Sequence, residues 1–467
     1  MTRRVFVPLL LVILALAGCA HQAAEQPAPA TLPAKFSQSG EAPLPSFFWQ
    51  AFADPQLDSL VQQAFTHNYS LAAQQAVLNQ ADALLQQQRA GWWPTLNATL
   101  GSSRSDGDGV ERSRTFSGGF AASYEVDLWG RIGNVVDAAA LQRDASVEDL
   151  KAARITLASD VTLVWYQLVA QRQLQALQQK QLDTNDKVLQ LVTARFRQGQ
   201  ADAADVLRQQ VLLEQNRAAL TATASDIQVL DHALSILIGQ APGATLPVSN
   251  SLPALPPLPA TGLTADWLQQ RPDLRSAYLG VAAADAEVAA AIAERYPRLD
   301  LTANVSSSAS RSSDLFDDWL ENLAANLLLP IVDGGARRAE VARRQAVVAE
   351  RFARYQQTLL TAVAEVEDAL SREYFQHQHL QHLRNKMTLD DQVVQRLNLR
   401  YRAGNVDYLD VLQALTDQQQ TQQDVITAQQ QLLEYRIALA RALATGWTAE
   451  SPESPTQVTQ HESASGH

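Results

Sequence analysis

"RYRAGNVDYLDVL" (400–412) repeats an earlier stretch, "RFRQGQADAADVL" (195–207), at a distance of 205 residues. The two copies share Arg, Arg, Gly, Asp, Asp, Val and Leu, and Phe196 stands where Tyr401 stands. Each lies between two long helical patterns. Outward from this pair the correspondence continues: Gly91-Trp92-Trp93-Pro94 answers Arg295-Tyr296-Pro297, and "DLWGR" (127–131) answers "IVDGG" (331–335), always offset by 203–205 residues. Two whole halves are therefore related, each running helix, strand pair, long helix, turn, helix. A proline-rich connector, "APGATLPVSNSLPALPPLPATG" (241–262), divides them. The reading places the first repeat at 47–240 and the second at 263–445.

The strand pairs carry the alternation that fixes their faces. In "FSGGFAASYEVDL", Phe116, Phe120, Ala122, Tyr124, Val126 and Leu128 share one face, and Ser117, Ala121, Ser123, Glu125 and Asp127 the other. "RLDLTANVS" sets Leu299, Leu301, Ala303 and Val305 against Asp300, Thr302, Asn304 and Ser306. Strands are expected near 94–103, 115–128, 297–307 and 319–329. Period-two alternation of this kind fits a transmembrane barrel or a half-buried sheet of a soluble domain. Four strands cannot close a barrel, and an open sheet edge cannot stand in lipid. If these strands span a membrane, the chain must oligomerise, and a trimer gives about twelve strands, an even number wide enough for a lumen. Trp92, Trp93, Trp129 and Trp319 flank the strands, at girdle or packing positions.

The helices between are long. From Asn134 to Gln198, and from Ala336 to Ala403, there is neither proline nor glycine. Such runs reach roughly 100 Å at 1.5 Å per residue. Helices are expected at about 133–198, 203–238, 335–403 and 406–444. Leu157, Val161, Val164 and Leu168 recur with coiled-coil spacing. Elsewhere Ala and Gln fill the seam, so shallow packing is expected.

Composition excludes other classes. The net charge is −12 and argues against nucleic acid. The sole cysteine, Cys19, permits no internal disulfide. No phosphate loop, nucleophile elbow or paired catalytic carboxylate is recognisable, so no enzyme is expected. His377, His379 and His382 do not share one helical face, and no metal site is assigned to them.

The first 18 residues, with Arg3, Arg4 and the apolar run Val5–Ala17, read as a signal peptide. Leu16-Ala17-Gly18-Cys19 resembles a bacterial lipobox. The resemblance implies cleavage before Cys19 and a covalent lipid on it; a plain signal peptide is the alternative. Ala20 after Cys19 points to the outer membrane. Residues 19–46 are read as a lipidated tether and 446–467 as a disordered tail. No later apolar run approaches the roughly 20 residues of a membrane helix.

"WQAFADPQLDSLVQQAF" (49–65), "YEVDLWGR" (124–131), "QQRPDLRSA" (269–277), "LPIVDGG" (329–335) and the repeated "YRAG…DVL" together resemble the TolC family of outer-membrane efflux proteins, and the lipobox its lipoprotein (NodT-like) branch serving RND-type pumps. The resemblance spans about 47–445. It implies a mainly α fold with a transmembrane β part: long coiled-coil hairpins form a periplasmic α-barrel, and four strands per chain contribute to a trimeric twelve-stranded outer-membrane barrel. It implies a homotrimer working with a periplasmic adaptor and an inner-membrane transporter, passing small molecules outward with no cofactor beyond the lipid. Protein secretion, metal efflux and a non-conducting envelope tether are the alternatives. The repeated turns would form the periplasmic tip, where Gly199 and Gly404 release each helix into its turn. By motif position Asp205 and Tyr401 resemble a hydrogen-bonded pair linking the two hairpins, Asp410 a member of an acidic ring, and Leu409 an apolar constriction. Val406 stands where an arginine latch can occur, and Gln413 where a second ring aspartate can occur. Helix capping is the competing role for Asp202, Asp205, Asp407 and Asp410. Because Ala203 and Ala204 answer Tyr408 and Leu409, the second copy is expected to line the pore and the first to brace it.

Overall fold

A computed structural model describes residues 32–42, 47–108, 110–243, 246–247, 249, 251–261, 267 and 270–443. The signal peptide, Cys19 and the residues after Leu443 lie outside them. The described residues form seven α-helices: α1 (Pro55–His67), α2 (Tyr69–Arg89), α3 (Arg131–Arg197), α4 (Ala203–Leu237), α5 (Pro272–Ala293), α6 (Ala336–Arg402) and α7 (Tyr408–Leu443). Four strands accompany them: β1 (Thr95–Gly107), β2 (Val110–Val126), β3 (Arg298–Ala309) and β4 (Leu320–Leu328). The corresponding long helices α3 and α6 are both 67 residues long.

Two compact units divide the chain, and they cut across the sequence repeats. Among the described residues, the first takes those within 75–149 and 273–358, the second those within 32–74, 150–272 and 359–443. Each unit draws on both halves: β2 of the first repeat pairs with β3 of the second, and α7 of the second is hydrogen-bonded to α3 and α4 of the first.

The first unit holds the sheet. Its order is β1-β2-β3-β4, antiparallel throughout. The registers align Leu96, Ala122, Ala303 and Leu323 in one row, and Asn97, Ala121, Asn304 and Asn322 in the next. Alternation thus sorts whole rows: the first belongs to an apolar face, the second to a polar one. The apolar face is open, with Leu323 at 86% exposure and Leu100 at 80%. Gly119 is required where β2 meets β3, since a Cβ there would come within 2.5 Å of the Val305 carbonyl oxygen. Below the strands, Trp129 donates from Nε1 to the Pro297 carbonyl (2.7 Å) and stacks on Tyr296. Asp127 accepts from the amides of Ile132 and Gly133, anchoring the start of α3. The alanine-rich α5 is apolar and long enough to cross a membrane by composition. Its Val281, Ala284 and Val288 instead pack with Val348 of α6.

In the second unit Asp54 caps α1 through the amides of Gln56 and Leu57 and accepts from Trp165 Nε1. Trp49, Leu57, Leu60, Trp165, Tyr166 and Leu168 are fully buried beside it. The coiled-coil spacing on α3 understates this packing, for Ile155, Ala158, Thr162 and Val169 are buried as well as Leu157, Val161 and Leu168. Within the stretch read as a tether, residues 32–42 dock on the connector and on α6. Gly40 and Ala42 exchange backbone hydrogen bonds with Leu258, Pro259 and Ala260, Ser37 donates to Glu367, and Phe36 sits edge-on against Trp267. The connector is held in turn by Arg172, donating to the Pro247 carbonyl, and by Arg436, donating to those of Pro256 and Pro257. Arg436 makes a buried bidentate pair with Glu373.

Candidate functional site

The two copies of the repeated motif come together at the turns α3–α4 and α6–α7. Gly199 has φ +69° and Gly404 φ +75°, the left-handed region that lets a helix stop without strain. Each is followed by the same closing bond, Gln200 N–H to the Arg195 carbonyl and Asn405 N–H to the Arg400 carbonyl, both 2.9 Å. Between the turns lies one apolar cluster: Val192 of α3, Tyr401 of α6, and Tyr408 and Val411 of α7, with Val188, Val206 and Val406 against it. Val406, in place of a latch arginine, is therefore packing residue.

The proposed Asp205–Tyr401 bond does not form within the chain. Asp205 is the third residue of α4, where its carboxylate accepts from the Asp202 amide in a capping box and pairs with Arg208 at 3.0 Å. Tyr401 is turned into the cluster, its ring 5.6 Å from that of Tyr408 and covered by the Arg195 guanidinium at 4.4 Å. Its hydroxyl is buried without a hydrogen-bond partner. The capping contact is local and wins over the longer reach.

At the tip the hairpins are joined by a different bond. Tyr408, buried at the first position of α7, donates its hydroxyl to Gln209 Oε1 on α4. Burial, and then the neighbouring Tyr401 and Asp205, push the Tyr408 hydroxyl well above the ordinary phenol range, so it stays a donor. The sequence signal was present: Tyr408 is a bulky departure from Ala203 at a position otherwise small.

Leu409 and Asp410 point away from this cluster. Leu409 is half exposed, and Asp410 is exposed in the first turn of α7, where its charge also suits the helix dipole. Gln413, exposed one turn on, donates to Asp417 at 3.0 Å. Leu409 and Gln413 border a groove of about 510 Å³ whose opposite wall is Leu207 and Val211 of α4. His377 and His379 lie exposed along α6, with His382 beyond them.

Residues 60–240 and, separately, 263–445 match the family described as outer membrane efflux protein. Pyoverdine export outer membrane protein OpmQ of Pseudomonas aeruginosa is 33% identical over 426 residues, covering 86% of this chain and 88% of OpmQ. Outer membrane protein OprJ of the same organism is 30% identical over 463 residues, covering 94% and 96%. Among solved structures, the outer-membrane channel OprN superposes with a TM-score of 0.84 at 25% identity, over 91% of this chain and 99% of OprN.

Proposed function

The chain belongs to the outer membrane efflux protein family, and from that premise we propose that three copies close into a single duct that conducts small molecules passively from periplasm to exterior. It is an outer-membrane efflux channel of the tripartite-pump type, spanning the outer membrane and extending into the periplasm. The observation that carries the trimer is the sheet. β1 and β4 each have one neighbour among the described residues, so both edges are open. Unpaired edges cannot stand in lipid. Strands alternate in direction from β1 to β4, so β4 of one copy meets β1 of the next antiparallel, and three sheets of four give twelve strands. The Leu96–Leu323 rows then face lipid and the Asn97–Asn322 rows face the lumen.

Two further parts belong to this reading. A lipid on Cys19 anchors each chain, and residues 32–42 tie that anchored segment to the connector. The tips form the gate: Asp410 is repeated three times around the opening, Leu409 narrows it beside that ring, and Gln413 leaves the next turn uncharged. A periplasmic adaptor and an inner-membrane transporter supply the cargo. The similarity to OpmQ, a pyoverdine export protein, favours small-molecule cargo over protein secretion. The tether alternative leaves the sorted sheet faces without a purpose.

Complementation tests it. Expressed with its cognate adaptor and transporter in cells lacking outer-membrane efflux channels, the chain should restore export of a small fluorescent substrate. Cys19→Ser should reduce that export by weakening anchorage. Cells that retain the dye despite folded, outer-membrane-localised protein would refute the duct.

A further inference from the structure

A run of buried amides continues inward from Tyr408. Gln209, which accepts from Tyr408, donates from Nε2 to the Asn185 carbonyl at 2.8 Å. The Asn185 and Gln419 side chains form a reciprocal amide pair, Nδ2 to Oε1 at 3.0 Å and Nε2 to Oδ1 at 3.1 Å. Gln181 donates to the Gln419 carbonyl and to Gln422 Oε1, and accepts from Gln423 Nε2 at 2.8 Å. Asn185 and Gln209 are 0% exposed, Gln181 5% and Gln419 6%. The ladder ties α7 of the second hairpin to α3 and α4 of the first. On another side α7 is tied to its own partner α6, through Gln418 to Asp391 and Thr421 to Asp390.

We propose that the Asn185–Gln419–Gln181 amides are a fixed pivot of the tip, and that Tyr408–Gln209 is the rung that parts when the tip opens. This rests on the gate reading above. The two ends of the ladder differ in what parting costs. Separating Asn185 from Gln419 strands donors and acceptors on both residues in a dry seam, and each stranded group disfavours the open form roughly ten- to a hundredfold. Parting Tyr408 from Gln209 breaks one bond at the ladder's end, next to the exposed Asp407, Leu409 and Asp410, where water can replace it. Gln419 lies eleven residues beyond Tyr408 on α7, about 16 Å along the helix axis. The last turns of the hairpin can therefore splay while the amides behind them hold register.

Cross-linking in the full-length trimer separates the two roles. Asn185→Cys with Gln419→Cys, and Gln209→Cys with Tyr408→Cys, are each joined by a short reducible bifunctional thiol reagent and recorded in planar bilayers before and after reduction. The 185–419 link should leave opening unchanged. The 209–408 link should hold the channel closed until it is reduced. Tyr408→Phe, which removes only the hydroxyl, should raise the open fraction by about tenfold, the size of one buried hydrogen bond. Gln181→Cys with Gln423→Cys, one turn deeper, serves should the 185–419 pair fail to assemble. A 185–419 or 181–423 link that blocks opening overturns the pivot, as does a 209–408 link that leaves it free. A trimer with one unvarying conductance in every form, unmoved by Tyr408→Phe, instead overturns the gate reading beneath it.

Discussion

Replacing Leu323 with arginine measures whether the apolar sheet face lies in lipid. The face runs from the Leu299 row to the Ala309 row, ten residues, or about 33 Å along the strand, apolar through the Ala303 row and interrupted beyond it by Glu321, Ser307 and Ser102. At the usual barrel tilt of about 40° this spans about 25 Å of bilayer, the height of a barrel's apolar band. Leu323 shares its row with Leu96, Ala122 and Ala303 near the middle of that span. An arginine at a bilayer midplane costs about 2–4 kcal/mol per chain, or about 6–12 kcal/mol for three symmetric copies. Asn322 is its neighbour on the same strand and projects to the opposite face, so Asn322→Arg should cost under about 1 kcal/mol in a water-filled lumen. Reversible urea unfolding from phospholipid vesicles, followed by fluorescence of the chain's eight tryptophans, reads both variants. Equal shifts, or a larger shift for Asn322→Arg, would refute the assignment of faces.

Other expectations concern the parts that set the tip and the connector. Arg436→Met leaves Glu373 charged and unpaired in a buried site and should cost about 3–5 kcal/mol in unfolding, while adding Glu373→Leu should recover most of the loss; hydrogen exchange at 251–261 should rise in the single variant. Gly404→Ala meets no atom within 4 Å but must hold φ +75°, so about 1–2 kcal/mol of purely conformational cost should appear in the urea midpoint. Burial opposes ionisation of Asp390, but the Thr421 hydroxyl and Lys386 outweigh it and hold its carboxyl below the usual range. Its stabilisation is complete above about pH 4 and is lost as pH falls through the lowered folded value. Asp390→Asn should therefore flatten the acid limb of the stability profile between pH 5 and pH 2 without changing its shape near neutrality.

Much of this was legible because the governing physics is periodic. Alternation in "RLDLTANVS" has only one pleated solution, and the registers place Leu299, Leu301 and Ala303 together on the apolar side. The runs free of proline and glycine lie almost wholly within two 67-residue helices, and the glycines at 199 and 404 follow their ends with positive φ. What escaped was chosen by tertiary partners. Asp205 could cap its own helix or reach for Tyr401, and only the packed geometry decides. The glutamines of the seam, read as shallow filler, become structural because Asn185, Gln209 and Gln419 arrive from three different helices. Residues 32–42 look like linker until the connector supplies backbone partners for Gly40 and Ala42. The duplication itself hid the compact units, since each draws on both repeats.

The central claim is a gated duct built from three copies of this chain, and single-trimer conductance in planar bilayers tests it most directly. Purified protein should insert as a trimer, conduct with preference for cations at low resting conductance, and leak strongly once Asp410 is replaced by alanine and Tyr408 by phenylalanine. A trimer that inserts but passes no current, in native and doubly substituted form alike, would contradict the account.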